Sequence, residues 1–275
     1  MAIIASPAVV LIVMAAGAVA GGLGSLLGIG GGVFLVPFLN LGVGMPFLSA
    51  AGISLMTVIA TSSAVSARAT GRNLINLRLG IVLEVATVTG AFAGGLMVGR
   101  LTDRSLHVLF AFTSAAIAGI MLTRLDRRNV ILDPAADPGV LGGRYYEHES
   151  GAKVSYRVRR LPLGLAVSFV AGLLSTLLGI GGGILKVPAL NAWCGVPMRA
   201  AAATSAFMIG VTAAASAPIY YARGNIAPEL AAAAVIGVLG GSRAGFSISE
   251  RWRAKGLKML MAAILVTVAV IYFLR

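Results

Sequence analysis

The sequence is short of charge. Only 11% of its 275 residues are Asp, Glu, Lys or Arg, against about 25% in a soluble globular protein. A solvated surface over most of the chain is therefore excluded. Cysteine is nearly absent. Cys194 stands alone, so neither an internal disulfide nor a cysteine metal cluster can form. The two histidines, His107 and His148, are far apart, which argues against a His-rich metal site. No carboxylates are paired and no nucleophile sits beside a base. The glycine-rich stretches lack the Lys-Ser/Thr ending of a phosphate-binding loop. Covalent catalysis, ATP hydrolysis and a bound cofactor are not expected.

What the chain has instead is apolar length. It is 58% hydrophobic, and runs of about 20 apolar residues recur from end to end, as in membrane-spanning helices. The reading is a multi-pass protein of a plasma membrane, of the bacterial inner-membrane type. A net charge of +13 would suggest nucleic acid in a soluble protein. Here the basic residues fill the gaps between apolar runs, where they set topology and meet anionic headgroups. Membrane lipid is the expected partner and nucleic acid is not. The run at 7–27 could pass for a signal peptide, with Ala18-Val19-Ala20 resembling a cleavage site. No positive residue precedes it, and its end returns at 171–178, so it belongs to the core.

Leu27-Gly28-Ile29-Gly30-Gly31-Gly32-Val33-Phe34-Leu35-Val36-Pro37 reappears as Leu178-Gly179-Ile180-Gly181-Gly182-Gly183-Ile184-Leu185-Lys186-Val187-Pro188, 151 positions later. Over 20–40 against 171–191 about two thirds of positions are identical. A self-match of this length marks two copies of one unit. The apolar segments of the first copy are 7–27, 33–41, 47–67, 79–99 and 105–123. Those of the second are 161–178, 184–193, 198–221, 227–247 and 256–274. Between them, 124–160 is polar, with Asp-Pro turn signals at 133 and 137. The expected organisation is repeat 1 over 1–123, a solvated cytoplasmic linker over 124–160, and repeat 2 over 161–275.

The second segment of each copy is too short to span as a helix. Nine helical residues rise about 13 Å, and five extended ones add about 16 Å. Together they reach the roughly 30 Å of hydrocarbon, so a broken crossing and a re-entrant hairpin are both possible. If the short segments cross, sixteen Lys and Arg fall on one side and four on the other; if they turn back, the split is thirteen to seven. The positive-inside rule favours the first. Five crossings per copy is an odd number, so the second copy is inverted. The expected fold is an all-α integral membrane protein of two inverted-topology repeats, with short broken helices after the GxGGG motifs.

Backbone that leaves helical geometry within a membrane must be covered by protein or line a wet cavity. Matched breaks in the two halves of an inverted repeat point to a transport site near the midplane. Glycine tolerates positive φ and lets a substrate approach the backbone. Short helices starting at Val33 and Ile184 would offer free N–H groups and partial positive charge, a combination that binds anions. The plainer alternative is close helix packing through small residues.

The duplicated pattern G-I-G-G-G-x-x-x-V-P-x-L, followed by a Ser/Thr-containing helix and a small-residue-rich helix, resembles the sulfite exporter TauE/SafE family of membrane transporters. The resemblance covers nearly all of the chain outside 124–160. It implies transport of a small anion, often a sulfur oxyanion or sulfonate, across the plasma membrane. One departure is that Ile53-Ser54 stands where the second copy has Thr204-Ser205, so the two half-sites differ.

The candidate substrate-binding residues are Gly30, Gly31, Gly32, Asn40, Ser54, Gly181, Gly182, Gly183, Lys186, Asn191, Thr204 and Ser205. Asn40 and Asn191 either donate to a bound oxyanion or cap their short helices. Lys186, which replaces Leu35 of the first copy, either meets an anion or snorkels to a headgroup. Ser54, Ser205 and Thr204 offer hydroxyl donors, or bond back to their own helices. Glu84 could carry a coupling proton, but a pair with Arg78 at the interface is favoured. The function expected is secondary transport of a small anion by alternating access. Its partners would be that anion and a coupling ion, proton or sodium, with a homo-oligomer compatible. An anion channel, a membrane-embedded enzyme and a structural membrane subunit are the alternatives.

Overall fold

The computed structural model describes residues 6–27, 30–70, 73–123, 137–147, 151–249 and 254–273. Gly28 and Ile29 of the first break, Arg72, the linker stretches 124–136 and 148–150, Arg251, Arg253 and Arg275 lie outside the described residues. Among the described residues ten α-helices follow the apolar segments. They are α1 (Pro7–Leu27), α2 (Gly32–Pro37), α3 (Phe47–Thr70), α4 (Leu77–Met97), α5 (Asp103–Thr123), α6 (Leu161–Leu178), α7 (Gly183–Ala192), α8 (Met198–Ala222), α9 (Pro228–Ser249) and α10 (Ala254–Phe273). α2 continues through a π-helical turn, Phe38–Gly42. Among the described residues five helices, α1, α3, α4, α6 and α8, are long and apolar enough to cross a membrane. Outward-facing side chains such as Val19, Val85, Phe92, Leu96 and Ile236 are themselves apolar, as a lipid-facing surface requires.

Helix pairing follows small residues. α1 lies along α9 and α4 along α6. A Cβ at Gly241 would collide with the Ala18 carbonyl, and one at Gly172 with the Thr87 carbonyl. Backbones this close gain dispersion contacts, which replace the hydrophobic driving force that lipid removes. Both pairs run parallel: Gly17 sits against Ala234 and Gly21 against Val238, Gly90 against Phe169 and Gly94 against Leu173. α3 and α8, which occupy the same place in the two copies, run antiparallel. Ser62 Oγ of α3 donates to the Ala206 carbonyl of α8 (2.5 Å), while Gly52 sits near the Tyr220 ring.

These directions sort the turns onto two ends. At one end Phe47, just after the 43–46 turn, meets His107, Phe110 and Tyr272 at ring-centroid distances of 5.5, 6.2 and 6.4 Å. Gly52 approaches the Asn225 carbonyl at the same end. At the other end the turn before α4 meets the linker. Asn76 Nδ2 donates to the Leu141 carbonyl (2.8 Å) and to Tyr156 Oη (3.2 Å).

The linker is more than a solvated loop. β1 (Gly143–Glu147) pairs antiparallel with β2 (Ala152–Tyr156), placing Tyr145 opposite Val154. Tyr145, Val154 and Tyr156 bury against Leu79 and Leu83 of α4, Leu190 of α7, and Cys194 and Val196 beyond it. The all-α expectation is amended by this two-stranded sheet. Alternation over five residues inside a polar stretch is too short a signal to separate a strand from a loop, and only the docked face makes the hairpin pay its way.

Candidate functional site

The two glycine breaks meet in the middle of the fold. Ser54 Oγ, buried on α3, donates to the Gly179 carbonyl (2.6 Å) at the end of α6. Gly32, the first residue of α2, abuts the same pair; a Cβ there would stand 2.6 Å from Ser54 Oγ and 2.7 Å from that carbonyl oxygen. Gly30 (φ +73°) and Gly181 (φ +74°) hold equivalent left-handed conformations, which cost an L side chain about 1–2 kcal/mol. Both face Val58 of α3 and Ile209 of α8, a pair that itself obeys the 151-residue offset. Gly31 lies against the Ala20 carbonyl and Gly182 against the Ala171 carbonyl, and a Cβ at either would stand 2.9 Å from the oxygen. Gly182 is the N-cap of α7, Gly183 its first residue, and no side chain caps it.

Lys186 stands one turn into α7 and is buried. Its Nζ donates to Glu84 Oε2 of α4 (3.3 Å) and to Thr212 Oγ1 of α8 (3.1 Å). Thr212 Oγ1 in turn lies 2.6 Å from Glu84 Oε1, to which it donates. This corrects the expected Glu84–Arg78 pair. Glu84 is seven residues inside α4, on the buried side, where the end-of-helix Arg78 does not meet it. The partner lies 102 positions away in sequence, and nothing local announces it. The available signal was global: one buried acid and one buried base, each in an apolar helix, each costly alone.

The remaining candidates divide. Asn40 and Asn191 each donate from Nδ2 to the carbonyl five residues on, Met45 (2.8 Å) and Val196 (2.9 Å). Each amide closes the turn that ends its short segment. Thr204 Oγ1 accepts from the Asn76 backbone N–H (3.0 Å) and anchors the turn before α4. Ser205 Oγ, the counterpart of Ser54, is buried without a hydrogen-bond partner among the described residues. The structure thus brings Gly30 and Gly181 together at Val58 and Ile209, and Gly32 and Ser54 together at the Gly179 carbonyl, while Gly31 and Gly182 back onto α1 and α6 and Lys186 follows Gly183 by three residues. Asn40, Asn191 and Thr204 hold turns nearer the ends. One further polar cluster lies outside the candidate substrate-binding residues. Thr176 Oγ1 lies 2.6 Å from Ser216 Oγ, and Tyr220 Oη donates to the Thr176 carbonyl (2.5 Å), joining α6 to α8. Among the described residues no three His, Cys, Asp or Glu converge as metal ligands.

A family model described as sulfite exporter TauE/SafE matches residues 13–272. The chain is 27% identical over 273 residues to the probable membrane transporter protein YunE of Bacillus subtilis, covering 94% of this chain and 95% of the relative. A probable membrane transporter protein of Methanocaldococcus jannaschii is 26% identical over 264 residues, covering 90% of each. No solved structure matches.

Proposed function

Because the chain belongs to the sulfite exporter TauE/SafE family, we propose that this multi-pass membrane protein is a secondary transporter of a small anion, a sulfur oxyanion or organosulfonate, working by alternating access. It acts in a plasma membrane and performs no covalent chemistry. The observation that carries the reading is the meeting of the two glycine breaks between α3 and α8, with a buried lysine one turn beyond the second. Broken helices facing each other across a repeat interface are what midplane binding sites are made of. The antiparallel course of α3 and α8 supports two inverted repeats, 1–123 and 161–275, on either side of the linker. Rocking one repeat against the other would open the breaks to each side in turn. In this reading the break backbone, Ser54, Ser205 and Lys186 supply the donors that an oxyanion accepts.

Thermal unfolding of detergent-purified protein against sulfite, sulfate, thiosulfate, sulfoacetate, taurine, chloride and short carboxylates tests the substrate class. A ligand bound only by the folded state stabilises by about 2.7 kcal/mol at a hundredfold excess over Kd. One sulfur anion should raise the midpoint, and Ser205→Ala should reduce that shift. Counterflow of the same anion in proteoliposomes would separate a carrier from a channel. A folded protein indifferent to every anion sinks the reading.

A further inference from the structure

We propose that Glu84 binds the coupling proton of this transporter and that Lys186 alternates between Glu84 and the anion. The inference rests on the anion-transport reading above. When Glu84 is ionised, its carboxylate holds the ammonium. When Glu84 takes a proton on a carboxylate oxygen, the ammonium keeps its charge and turns to the anion. Proton and anion therefore travel together.

The first argument comes from the molecule's own symmetry. Leu35 occupies the place of Lys186 in the first copy, and at the same 151-residue offset Val235 of α9 stands in the place of Glu84 of α4, as the matching contacts Gly90–Phe169 and Gly241–Ala18 require; Leu35 is buried and Val235 half-buried. The same architecture is thus built once with an apolar pair and once with a charged one. Packing does not need the charges. A buried ion pair is seldom more stabilising than an apolar substitute, and ionisable residues at membrane depth mark ion and proton pathways.

The second argument is geometric. The Lys186–Glu84 contact is 3.3 Å, longer than the roughly 2.7–2.9 Å of a tight charge-assisted bond. Two of the three ammonium donors are engaged among the described residues. Thr212 is suited to accommodate either state of the acid. Its one hydroxyl proton has two acceptors in reach, Glu84 Oε1 (2.6 Å) and its own Met208 carbonyl (3.0 Å). With Glu84 ionised, Thr212 donates to it. With Glu84 protonated on Oε1, Thr212 can donate to Met208 and accept from the acid, so that oxygen and the hydroxyl both keep a partner.

The third is isolation. α6, packed against both α4 and α7, has no ionisable side chain. On α8 the ionisable groups are Arg199, Tyr220 and Tyr221, near its two ends, and Tyr220 is bonded to Thr176. α5, which also touches α7, offers Asp103, Arg104 and His107, and His107 stacks with Phe47 and Tyr272. α4 adds only Arg78 at its start. From the linker, Tyr145 and Tyr156 face the helices, with Tyr156 accepting from Asn76. Leu83, Leu190 and Met208 of that same cluster separate the hairpin from the pair by about one turn on α7 and α8 and flank it on α4. Among the described residues nothing else neutralises either charge.

The test uses the full chain in proteoliposomes with an entrapped pH indicator and the membrane potential clamped at zero. The probes are labelled thiosulfate and sulfate, which stay ionised across the assay range, so a moving proton belongs to the protein. In the wild type, acid outside should drive accumulation of one probe, up to about tenfold per pH unit at one proton per anion, with matching internal acidification. In Glu84→Gln the pH gradient should add nothing to the accumulation seen at symmetric pH. Should that variant fail to fold, Glu84→Asp keeps the carboxyl and should shift the external pH of half-maximal uptake. Counterflow without proton entry in the wild type, gradient-driven uptake in Glu84→Gln, or an unmoved pH profile in Glu84→Asp would each overturn the inference alone. Absence of any anion counterflow from folded wild type would remove the transport reading and this inference with it.

Discussion

Lys186 and Glu84 set the energetic stakes for single residues. Removing one partner leaves the other charge buried without compensation, which costs about 3–5 kcal/mol. Lys186→Met should therefore lower the thermal midpoint sharply, and Lys186→Met with Glu84→Gln should recover most of the loss. A double variant as unstable as the single one would mean that the charges stabilise the fold directly. Glycine offers a cleaner comparison. Gly181 and Gly44 share positive φ, but a Cβ at Gly181 would stand 2.6 Å from Val58 Cγ1 and one at Gly44 would meet nothing. Gly44→Ala should cost about the 1–2 kcal/mol of the conformation. Gly181→Ala should add about 1–3 kcal/mol of overpacking and disturb the break itself. Equal midpoints would show that the break relaxes around a methyl. Lys186 was legible in the sequence because a cation in an apolar repeat breaks the pattern that Leu35 sets. Its partner was not, because the acid follows a helix start closely enough to suggest a terminal role.

At the scale of elements, the apolar runs located the ten described α-helices to within a few residues, since lipid demands length and leaves little choice of pattern. The hairpin was not legible, because its stability is lent by the helices beneath it. Cys194 lies buried under that cover, and the Arg159 N–H bonds its carbonyl (2.9 Å). As the one cysteine in the sequence, it reports on the docking. Wild type should resist alkylation by a water-soluble maleimide, and Val154→Asp, which puts a charge in the apolar contact, should expose the thiol and speed labelling by an order of magnitude or more. Unchanged labelling would show that the helices protect Cys194 without the hairpin. The docking also carries a pH sign. Burial raises the Tyr156 phenol above its ordinary value, with the Asn76 bond opposing. The undocked phenol therefore ionises first, so docking is complete below the ordinary phenol range and weakens as pH climbs through it. Cys194 protection should follow that course in the wild type and lose this dependence in Tyr156→Phe.

At the scale of the whole molecule, the duplicated motif made two copies legible, while their relative direction had to be argued from charge. The contacts supply an independent argument. The turn at 43–46 shares an end with the start of α5 and the end of α10, and the turn before α4 shares the other with the linker. A short segment of the second copy that re-entered and returned would put the 222–226 turn on the linker side, whereas the Asn225 carbonyl lies by Gly52 at the 43–46 end. Sidedness of labelling decides between them. In a Cys194→Ser background, single cysteines at Pro46, Asn73, Val140 and Arg223, all exposed positions, can be probed with an impermeant maleimide on intact cells and on inverted vesicles. Crossing short segments place Pro46 and Arg223 outside, and Asn73 and Val140 in the cytoplasm with the basic linker. Arg223 reacting from the same side as Val140 would mean that α7 turns back instead of crossing between them. That result would remove the odd number of crossings per copy, and with it the inversion on which a midplane site shared by both repeats depends.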